Sequence, residues 1–309
     1  MKSLIQDKKL KALLKKIPAL ANAGSVTVLG GGLTNLNYRV ETPTGIYVMR
    51  WSGDTTALLG INRENERGNT IKAFEAGVGA AVIDALPEEN VLVISWIEAQ
   101  TLHTGDFQSK PALIPRVAQA LKKLHAGPAF QGDFHFPSIR KKYLQTVLNN
   151  HYFLPHLYLT MEPAIIELEK ILASDPEVPV PCNNDLLAEN FMDDGKKIWI
   201  IDYEYAGQNE ASFEIGNLAS EIGLSAQQLV TLCDTYWGQH RPSKIARAMA
   251  WAMIARYGWV MWASIQEAVS NIDFDFRAWG ARKWNSVLPD LQGSQYENLI
   301  KTLKASTHE

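Results

Sequence analysis

One stretch constrains this chain more than any other: PCNNDLLAENFMDDGKKIWIIDYEYAG, residues 181–207. It places Asp185 and Asn190 in one polar run. An Asp-Asp-Gly turn and an apolar strand then lead to Asp202 and Glu204. The turn predicts a hairpin that brings Asp202 and Glu204 back beside Asp185 and Asn190. Carboxylate and carboxamide oxygens at such a place suit Mg²⁺, which takes oxygen ligands and substrate phosphates. An Asx-rich loop that caps a helix is the alternative interpretation.

The order D-x-x-x-x-N, hairpin, I-D is the catalytic arrangement of protein-kinase-like phosphotransferases. The fuller string NDLLAEN…IDYEYAG…FEIGN resembles the choline/ethanolamine kinase family, which shares its fold with aminoglycoside phosphotransferases. The resemblance implies an α+β, bilobal protein-kinase-like fold with a mostly β N-terminal lobe and a helical C-terminal lobe. It also implies ATP and Mg²⁺, with Asp185 accepting the hydroxyl proton and Asn190 and Asp202 holding the metal.

Composition supports two lobes and excludes some partners. The 309 residues exceed a typical domain of about 100–200 residues, and 46% apolar with 20% charged residues suits a globular protein. A net charge of −3 gives no strong field for nucleic acid. Residues 1–20 alternate Lys pairs with Leu and Ile, which predicts an amphipathic helix that packs on the fold, and membrane-surface binding is the alternative. Their apolar runs are too short for stable membrane insertion. Two distant cysteines predict reduced thiols and a cytoplasmic location.

A glycine cluster separates two predicted strands, 25–29 and 37–41. Such a hairpin lets backbone N–H groups approach a phosphate closely. It lacks the GK[ST] of a P-loop and the Rossmann GxGxxG pattern, and most glycine clusters between strands are plain turns. The candidate nucleotide-binding residues here are Gly30, Gly31, Gly32, Thr34 and Asn35.

The next strand and helix supply a cation and its partner. Strand 46–50 ends on Arg50, about where kinases keep their phosphate-binding lysine, and the resembling family commonly has Arg there. A helix over 61–75 is predicted to carry the Glu that fixes this cation toward the phosphates. Glu66 matches best and Glu64 is the second candidate. A solvated strand-end Arg and an exposed helix charge are the alternatives.

The apolar run 91–97 predicts a buried strand. In kinases the corresponding strand leads into the hinge that bonds the adenine, so Ser95 and Ile97 are candidates for the nucleotide edge through their backbone groups. We expect an N-terminal nucleotide-binding lobe over 1–100 and a C-terminal catalytic and substrate-binding lobe over 101–309. Helical patterns follow at 114–125, 143–159 and 162–173. At the end of the first of these, we expect His125 to be structural.

The last third of the chain is rich in tryptophan. Trp251, Trp259 and Trp262 share one helix face, which by default indicates core packing. The functional interpretation is a cage, because aromatic faces attract a quaternary ammonium. The segment resembles the helices that line the alcohol pocket of choline-kinase-like proteins. Acidic residues could add charge complementarity there: Glu204, Glu214, Glu221 and Asp273.

Two positions depart from the family pattern. The family usually has His-Asn-Asp at the catalytic loop, where this chain has Asn183, Asn184 and Asp185. The family's His bonds the metal-loop backbone, and Asn also donates and accepts hydrogen bonds. Glu214 replaces the family's Asp at a position that we expect on the substrate side.

The sequence therefore predicts an enzyme that phosphorylates the hydroxyl of choline or a related amino alcohol with Mg·ATP. Asp185 is the expected catalytic residue and Glu204, Glu221, Trp259 and Trp262 the expected acceptor-binding residues. The alternatives are an aminoglycoside, thiamine or homoserine-type kinase and, because of Asn183, a catalytically silent nucleotide-binding regulator. We expect a monomer or homodimer.

Overall fold

An antiparallel sheet with one helix on its face forms the N-terminal part of the computed structural model, which describes residues 8–30, 35–52 and 59–306. Its elements are α1 (Lys8–Lys16), β1 (Ser25–Leu29), β2 (Asn35–Thr42), β3 (Gly45–Ser52), β4 (Val82–Leu86) and β5 (Val91–Ser95). The strand order is β1-β2-β3-β5-β4. The apolar face of α1 packs on the sheet through Leu10, Leu13 and Leu14, which confirms the predicted amphipathic helix.

Helix α2 (Arg63–Glu75) lies between β3 and β4 in the chain. It begins after Asn62, whose side-chain oxygen accepts the backbone N–H groups of Glu64 and Asn65 at 3.0 and 3.1 Å. This is an ordinary N-cap, and Gly77 with φ of 78° follows the other end. Both helix ends come close to those predicted from the sequence.

Short strands connect the N-terminal sheet to the helical part. They are β6 (Gln100–Thr101), β7 (Val180–Cys182), β8 (Phe191–Asp193), β9 (Ile198–Ile200) and β10 (Gly207–Asn209). The pair β8–β9 is an antiparallel hairpin whose turn contains Gly195 with φ of 83°. The predicted hairpin is therefore confirmed, and it places Asn190 and Asp202 just outside its two strands.

The C-terminal part is helical and packs around one long helix. Its members are α3 (Thr104–Ser109), α4 (Leu113–His125), α5 (Phe136–Asn149), α6 (Tyr158–Ser174), α7 (Ala211–Glu221), α8 (Ala226–Trp237), α9 (Pro242–Val269), α10 (Phe276–Gln292) and α11 (Ser294–Ser306). Gly216 lets α7 approach α9, since a Cβ there would lie 2.1 Å from the Ala248 carbonyl oxygen. This close contact brings the end of α7 beside the tryptophans of α9.

The α+β, two-lobed class predicted from the sequence is confirmed, with strands first and helices after. The helix predicted over 143–159 is wrong, because α5 ends at Asn149 and α6 begins at Tyr158. Pro155 and the left-handed backbone of His151 and Leu157 interrupt the pattern. A lobe boundary near residue 100 stays a prediction. No helix in the described ranges has both the length and the apolar run needed to cross a membrane.

Candidate active site

A cavity of about 640 Å³ opens between the short strands and helices α7, α9 and α10. Side chains from six separate segments of the chain line it. They include seven of the residues that the sequence singles out: Asp185, Asn190, Asp202, Glu204, Glu221, Trp259 and Trp262. The fold thus brings the acidic loops and the aromatic helix to one place.

Asn183 joins the two acidic loops. Its side-chain N–H group donates to the carbonyl oxygens of Asp202 at 2.8 Å and Ile201 at 3.3 Å. Its side-chain oxygen accepts the backbone N–H of Asp185 at 3.1 Å. Asn184 follows in the left-handed region with φ of 69°, which turns Asp185 toward the cavity. The side chain of Asn183 therefore fixes the loop of Asp185 relative to the loop of Asp202.

Glu214 holds the loop of Asp185 in place from the protein interior. It is fully buried, and one carboxylate oxygen accepts the backbone N–H of Asn184 at 2.8 Å. The other oxygen contacts the ring of His125, which in turn bonds Tyr236 at 2.7 Å. The expectation that Glu214 lies on the substrate side is wrong, because it lies beneath the loop and outside the cavity lining. His125 is structural in this arrangement, as expected.

The candidate metal ligands present oxygen atoms toward the cavity. The amide N–H of Asn190 donates to the Asp185 carbonyl at 2.6 Å, which leaves its side-chain oxygen for another partner. Asp202 has φ of 64°, uncommon for a residue other than glycine, and one of its oxygens accepts from Arg50 at 2.6 Å. Oxygen-only donors of this kind suit a hard divalent cation.

Arg50 lies at the centre of a buried charge network. Its guanidinium contacts Asp202, Glu66 at 3.3 Å and Glu204 at 4.0 Å. The structure thus pairs Arg50 with Glu66 as the resemblance implies, whereas Glu64 is exposed. Arg63 joins the network by donating to Glu66 at 2.6 Å. Two cations, Arg50 and Arg63, therefore lie among three carboxylates beside the cavity.

Asn35 ties the end of the glycine segment to this network. Its amide N–H donates to Glu204 at 3.0 Å, and its oxygen accepts from Ser52 at 2.6 Å and from Arg63 at 3.2 Å. The bond to Glu204 joins a residue of the N-terminal sheet to the loop that follows Asp202. Strand β2 is thereby held against the acidic loops.

Burial and repulsion raise the pKa values of two acidic side chains here, Glu204 and Asp185. Burial and the neighbouring charge of Asp202 raise the pKa of Glu204 to about 7, against the attraction of Arg50. Burial and then the charges of Glu204 and Asp202 raise the pKa of Asp185 well above its usual value. Positive charge brought into this cavity would relieve the repulsion.

Indole rings form another part of the cavity lining, called the indole wall. The ring N–H of Trp259 donates to Asn217 at 3.0 Å, and that of Trp262 donates to the Tyr205 hydroxyl at 3.0 Å. The two rings meet at right angles with centroids 6.4 Å apart, and the Trp279 ring lies 5.3 Å from that of Trp262. Hydrogen bonds and ring contacts together hold this wall in a defined geometry.

Trp251 does not join that wall, although its spacing puts it on the same helix face. Its ring N–H donates to Glu210 at 3.0 Å, and its ring packs on Phe213. It lies two turns before Trp259 and outside the cavity lining. For Trp251 the default interpretation as core packing is the right one.

Glu221 of α7 reaches the cavity but is paired within it. Both of its carboxylate oxygens accept from the ammonium of Lys283, at 2.5 and 2.6 Å. The same ammonium lies 3.9 Å from the centroid of the Trp279 ring. A carboxylate, a ring face and a cation therefore already form one cluster beside the indole wall.

A comparison with known families decides the assignment. The family model described as Choline/ethanolamine kinase matches residues 26–235, which contain the sheet, both acidic loops and α7. The chain belongs to the choline/ethanolamine kinase family. Its family makes it a phosphotransferase with an alcohol group as acceptor.

Proteins similar to this choline/ethanolamine kinase family member support the family assignment. A probable ethanolamine kinase of Arabidopsis thaliana is 27% identical over 295 residues, covering 84% of this chain and 78% of its own. The crystal structure of a choline/ethanolamine kinase family protein from Mesorhizobium loti is 29% identical with a TM-score of 0.85, covering 96% and 99%. Choline kinase LicA from Streptococcus pneumoniae, 24% identical over 92% and 99%, shares the fold with a TM-score of 0.77.

The nucleotide side of this kinase is described only in part. Gly31, Gly32 and Thr34 lie outside the described residues, and Gly30 directly follows β1. The N–H of Ser95 donates to the Ala81 carbonyl at 2.8 Å, and the Ile97 carbonyl accepts from Ala99 at 3.0 Å. Neither Ser95 nor Ile97 lines the cavity, and their role at the nucleotide edge stays a prediction.

Sequence reasoning missed several residues of the site. Arg63 sits three positions before Glu66, a spacing that pairs charges on one helix face and could have revealed it. Tyr205 directly follows Glu204, within the acidic loop itself. Lys283 left no local signal, because its partner lies on a different helix.

Proposed function

We propose that the protein transfers the γ-phosphoryl group of ATP to the hydroxyl of choline or a related amino alcohol. The supporting observation is one cavity whose lining includes both the Asp185 carboxylate and Trp259, Trp262 and Glu221. In an amino alcohol the cation and the hydroxyl are separated by a two-carbon spacer. A cation held against the rings can therefore present the hydroxyl to Asp185.

Asp185 is proposed to orient the acceptor hydroxyl and take its proton. A general base acts within hydrogen-bond reach of that proton, and the bonds through Asn183 give the loop a fixed position. Phosphoryl transfer asks little covalent chemistry of the protein, so positioning and charge neutralisation supply most of the rate. Asn183 in place of the family's His is consistent with catalysis, because its hydrogen bonds to the metal loop are made.

Asn190 and Asp202 are proposed to hold Mg²⁺, and their oxygen donors fit that ion. When bound, Mg²⁺ would neutralise charge on the β- and γ-phosphate oxygens. Arg50, which bonds Asp202 and is itself held by Glu66, is proposed to contact the phosphates. The segment Gly30–Gly32 is proposed to contact them through its backbone.

Choline is the first acceptor to test. A quaternary ammonium cannot donate hydrogen bonds and is held mainly by ring faces, which Trp259, Trp262 and Trp279 supply. A primary amine such as ethanolamine relies more on carboxylates, and it would have to displace Lys283 to bond Glu221. The named relatives include both ethanolamine kinases and a choline kinase, so both acceptors belong in the experiment.

The test is acceptor-dependent ADP release from Mg·ATP with choline, ethanolamine, thiamine, homoserine and kanamycin. Turnover with choline or ethanolamine is the expected result. Turnover only with one of the other acceptors would keep the reaction and reject the amino alcohol. ATP binding without turnover on any acceptor would overturn the proposal in favour of a silent nucleotide-binding regulator.

Location and assembly are also proposals. Cys182 and Cys233 are free and buried, as suits a reducing compartment, and we propose a cytoplasmic protein. A monomer or a homodimer is proposed for its assembly.

A further inference from the structure

Lys283 of α10 extends into the acceptor cavity rather than into solvent. Its side chain is 10% exposed and that of Glu221 is 5% exposed. Its ammonium donates to both carboxylate oxygens of Glu221, at 2.5 and 2.6 Å. The Trp279 ring centroid lies 3.9 Å from the same nitrogen atom. Lys283 thus carries an alkylammonium held by a carboxylate and an indole.

That environment is the one expected for a bound amino alcohol. A carboxylate supplies the opposite charge, and an indole ring supplies the attraction of its quadrupole for a cation. Glu221, Trp259 and Trp262 line one cavity with Lys283 and Trp279. The cationic group of an acceptor and the Lys283 ammonium therefore require the same partners.

The other two cations of the lining are placed differently. Arg256 donates to Asp290 at 2.7 Å and to the Ser286 carbonyl at 3.1 Å, which holds it between α9 and α10. Arg282 is exposed. Of these three, Lys283 is the one that bonds Glu221, an acidic residue of the cavity lining. Its charge also acts on Asp185, whose pKa it lowers against the stronger effects of burial and neighbouring carboxylates.

We propose that Lys283 is a specificity-determining residue that occupies the cation subsite of the acceptor, so that a cationic acceptor binds by displacing the lysine ammonium from Glu221. This rests on the proposed function, since it concerns the same cavity. When only a fraction of the protein is in the state that binds a ligand, the apparent affinity for that ligand is lowered by that fraction. If the lysine is in place about nine-tenths of the time, the acceptor KM is raised about tenfold.

The first test removes the charge. Lys283→Met leaves Glu221 for the acceptor, and the KM for the amino alcohol is expected to fall about tenfold with the KM for ATP unchanged. Lys283→Arg keeps a cation beside Glu221 and is expected to give little of this gain. Arg277→Met is the matched control, because Arg277 lies on the same helix and pairs with Glu267 at the surface. An unchanged or higher acceptor KM in Lys283→Met would overturn the proposal.

The second test uses the unmodified protein and needs no turnover. The probe is tetramethylammonium, and the readout is the rate at which an amine-reactive acylating reagent modifies Lys283, followed by peptide mass spectrometry. Displacement from Glu221 predicts modification about tenfold faster at saturating probe, with exposed Lys301 as the internal reference. Equal or slower modification of Lys283 would show that the lysine stays in place, and would overturn the inference even if Lys283→Met fails to fold.

The two levels of the proposal fail in different ways. If no amino alcohol is phosphorylated, the proposed function fails, whatever Lys283 does. If choline or ethanolamine is phosphorylated but neither the KM nor the labelling changes as stated, only the role of Lys283 fails.

Discussion

Two groups of residues that line the cavity, a reaction end and an acceptor end, are held in place by different interactions. At the reaction end, formed by Asp185, Asn190 and Asp202, side chains are joined to backbone carbonyl and N–H groups by hydrogen bonds of 2.6–3.1 Å. At the acceptor end, formed by Trp259, Trp262 and their neighbours, each of these two ring N–H groups makes one hydrogen bond, the rings pack on one another, and Glu221 is paired with Lys283. We infer from this difference that the first group serves the reaction chemistry and the second selects the acceptor.

The difference has an energetic basis. A buried polar group that loses its partner costs about 1–3 kcal/mol, and hydrogen bonds depend strongly on angle and distance. Ring contacts change gradually with position and tolerate acceptors of different shape. Changes at the reaction end should therefore appear in kcat, and changes at the acceptor end should appear in KM.

Asn183→Ala, a change at the reaction end, is expected to have a larger kinetic effect than the changes at the acceptor end. It leaves the carbonyl of Asp202 and the N–H of Asp185 without their partner. If the lost free energy of about 1–3 kcal/mol is added to the activation barrier, kcat falls by about 5–150-fold. The acceptor KM is expected to stay within about twofold. Steady-state kinetics at saturating ATP measures both.

Asn183→His is the matched variant, because His is the residue that the family usually has at this position. It is expected to keep most of the kcat that Asn183→Ala loses. A higher acceptor KM with unchanged kcat in Asn183→Ala would break the division between the two ends.

Trp259→Leu and Trp262→Leu give the smaller effect. Each removes one ring face that attracts the cation, which is worth about 0.5–2 kcal/mol, so the KM for choline should rise about 2–30-fold. The kcat is expected to change little. Trp251→Leu controls for lost packing, since that ring is on the same helix but bonds Glu210 outside the cavity. An equal KM increase in Trp251→Leu would show that helix packing, not the ring face, sets acceptor affinity.

The proximity of Asp185, Asn190 and Asp202 was predictable because its signal is local, whereas their roles stay predictions. Asp185, Asn190 and Asp202 fall within 18 residues, and the Asp-Asp-Gly turn fixes how the chain returns between them. The pairing of Arg50 with Glu66 came only through the resemblance, because a strand and a helix set their distance.

The acceptor end was less predictable, since its contacts join distant parts of the chain. The spacing of Trp251, Trp259 and Trp262 gave a shared face but not which rings reach the cavity. Glu221 was expected to be available, yet it is bonded to Lys283, 62 residues later. Glu214 was misplaced because its partners, His125 and the backbone N–H of Asn184, lie on distant parts of the chain that no local pattern places.

One measurement tests the central claim, that Asp185 is the base of a phosphoryl transfer to an acceptor bound in this cavity. It compares Asp185→Asn with the wild type in acceptor-dependent ADP release and in ATP binding. Asn has the same shape but cannot take the proton, so the account predicts a loss of about 10²–10⁴-fold in kcat with ATP affinity nearly unchanged. Retention of wild-type kcat in Asp185→Asn would contradict the account.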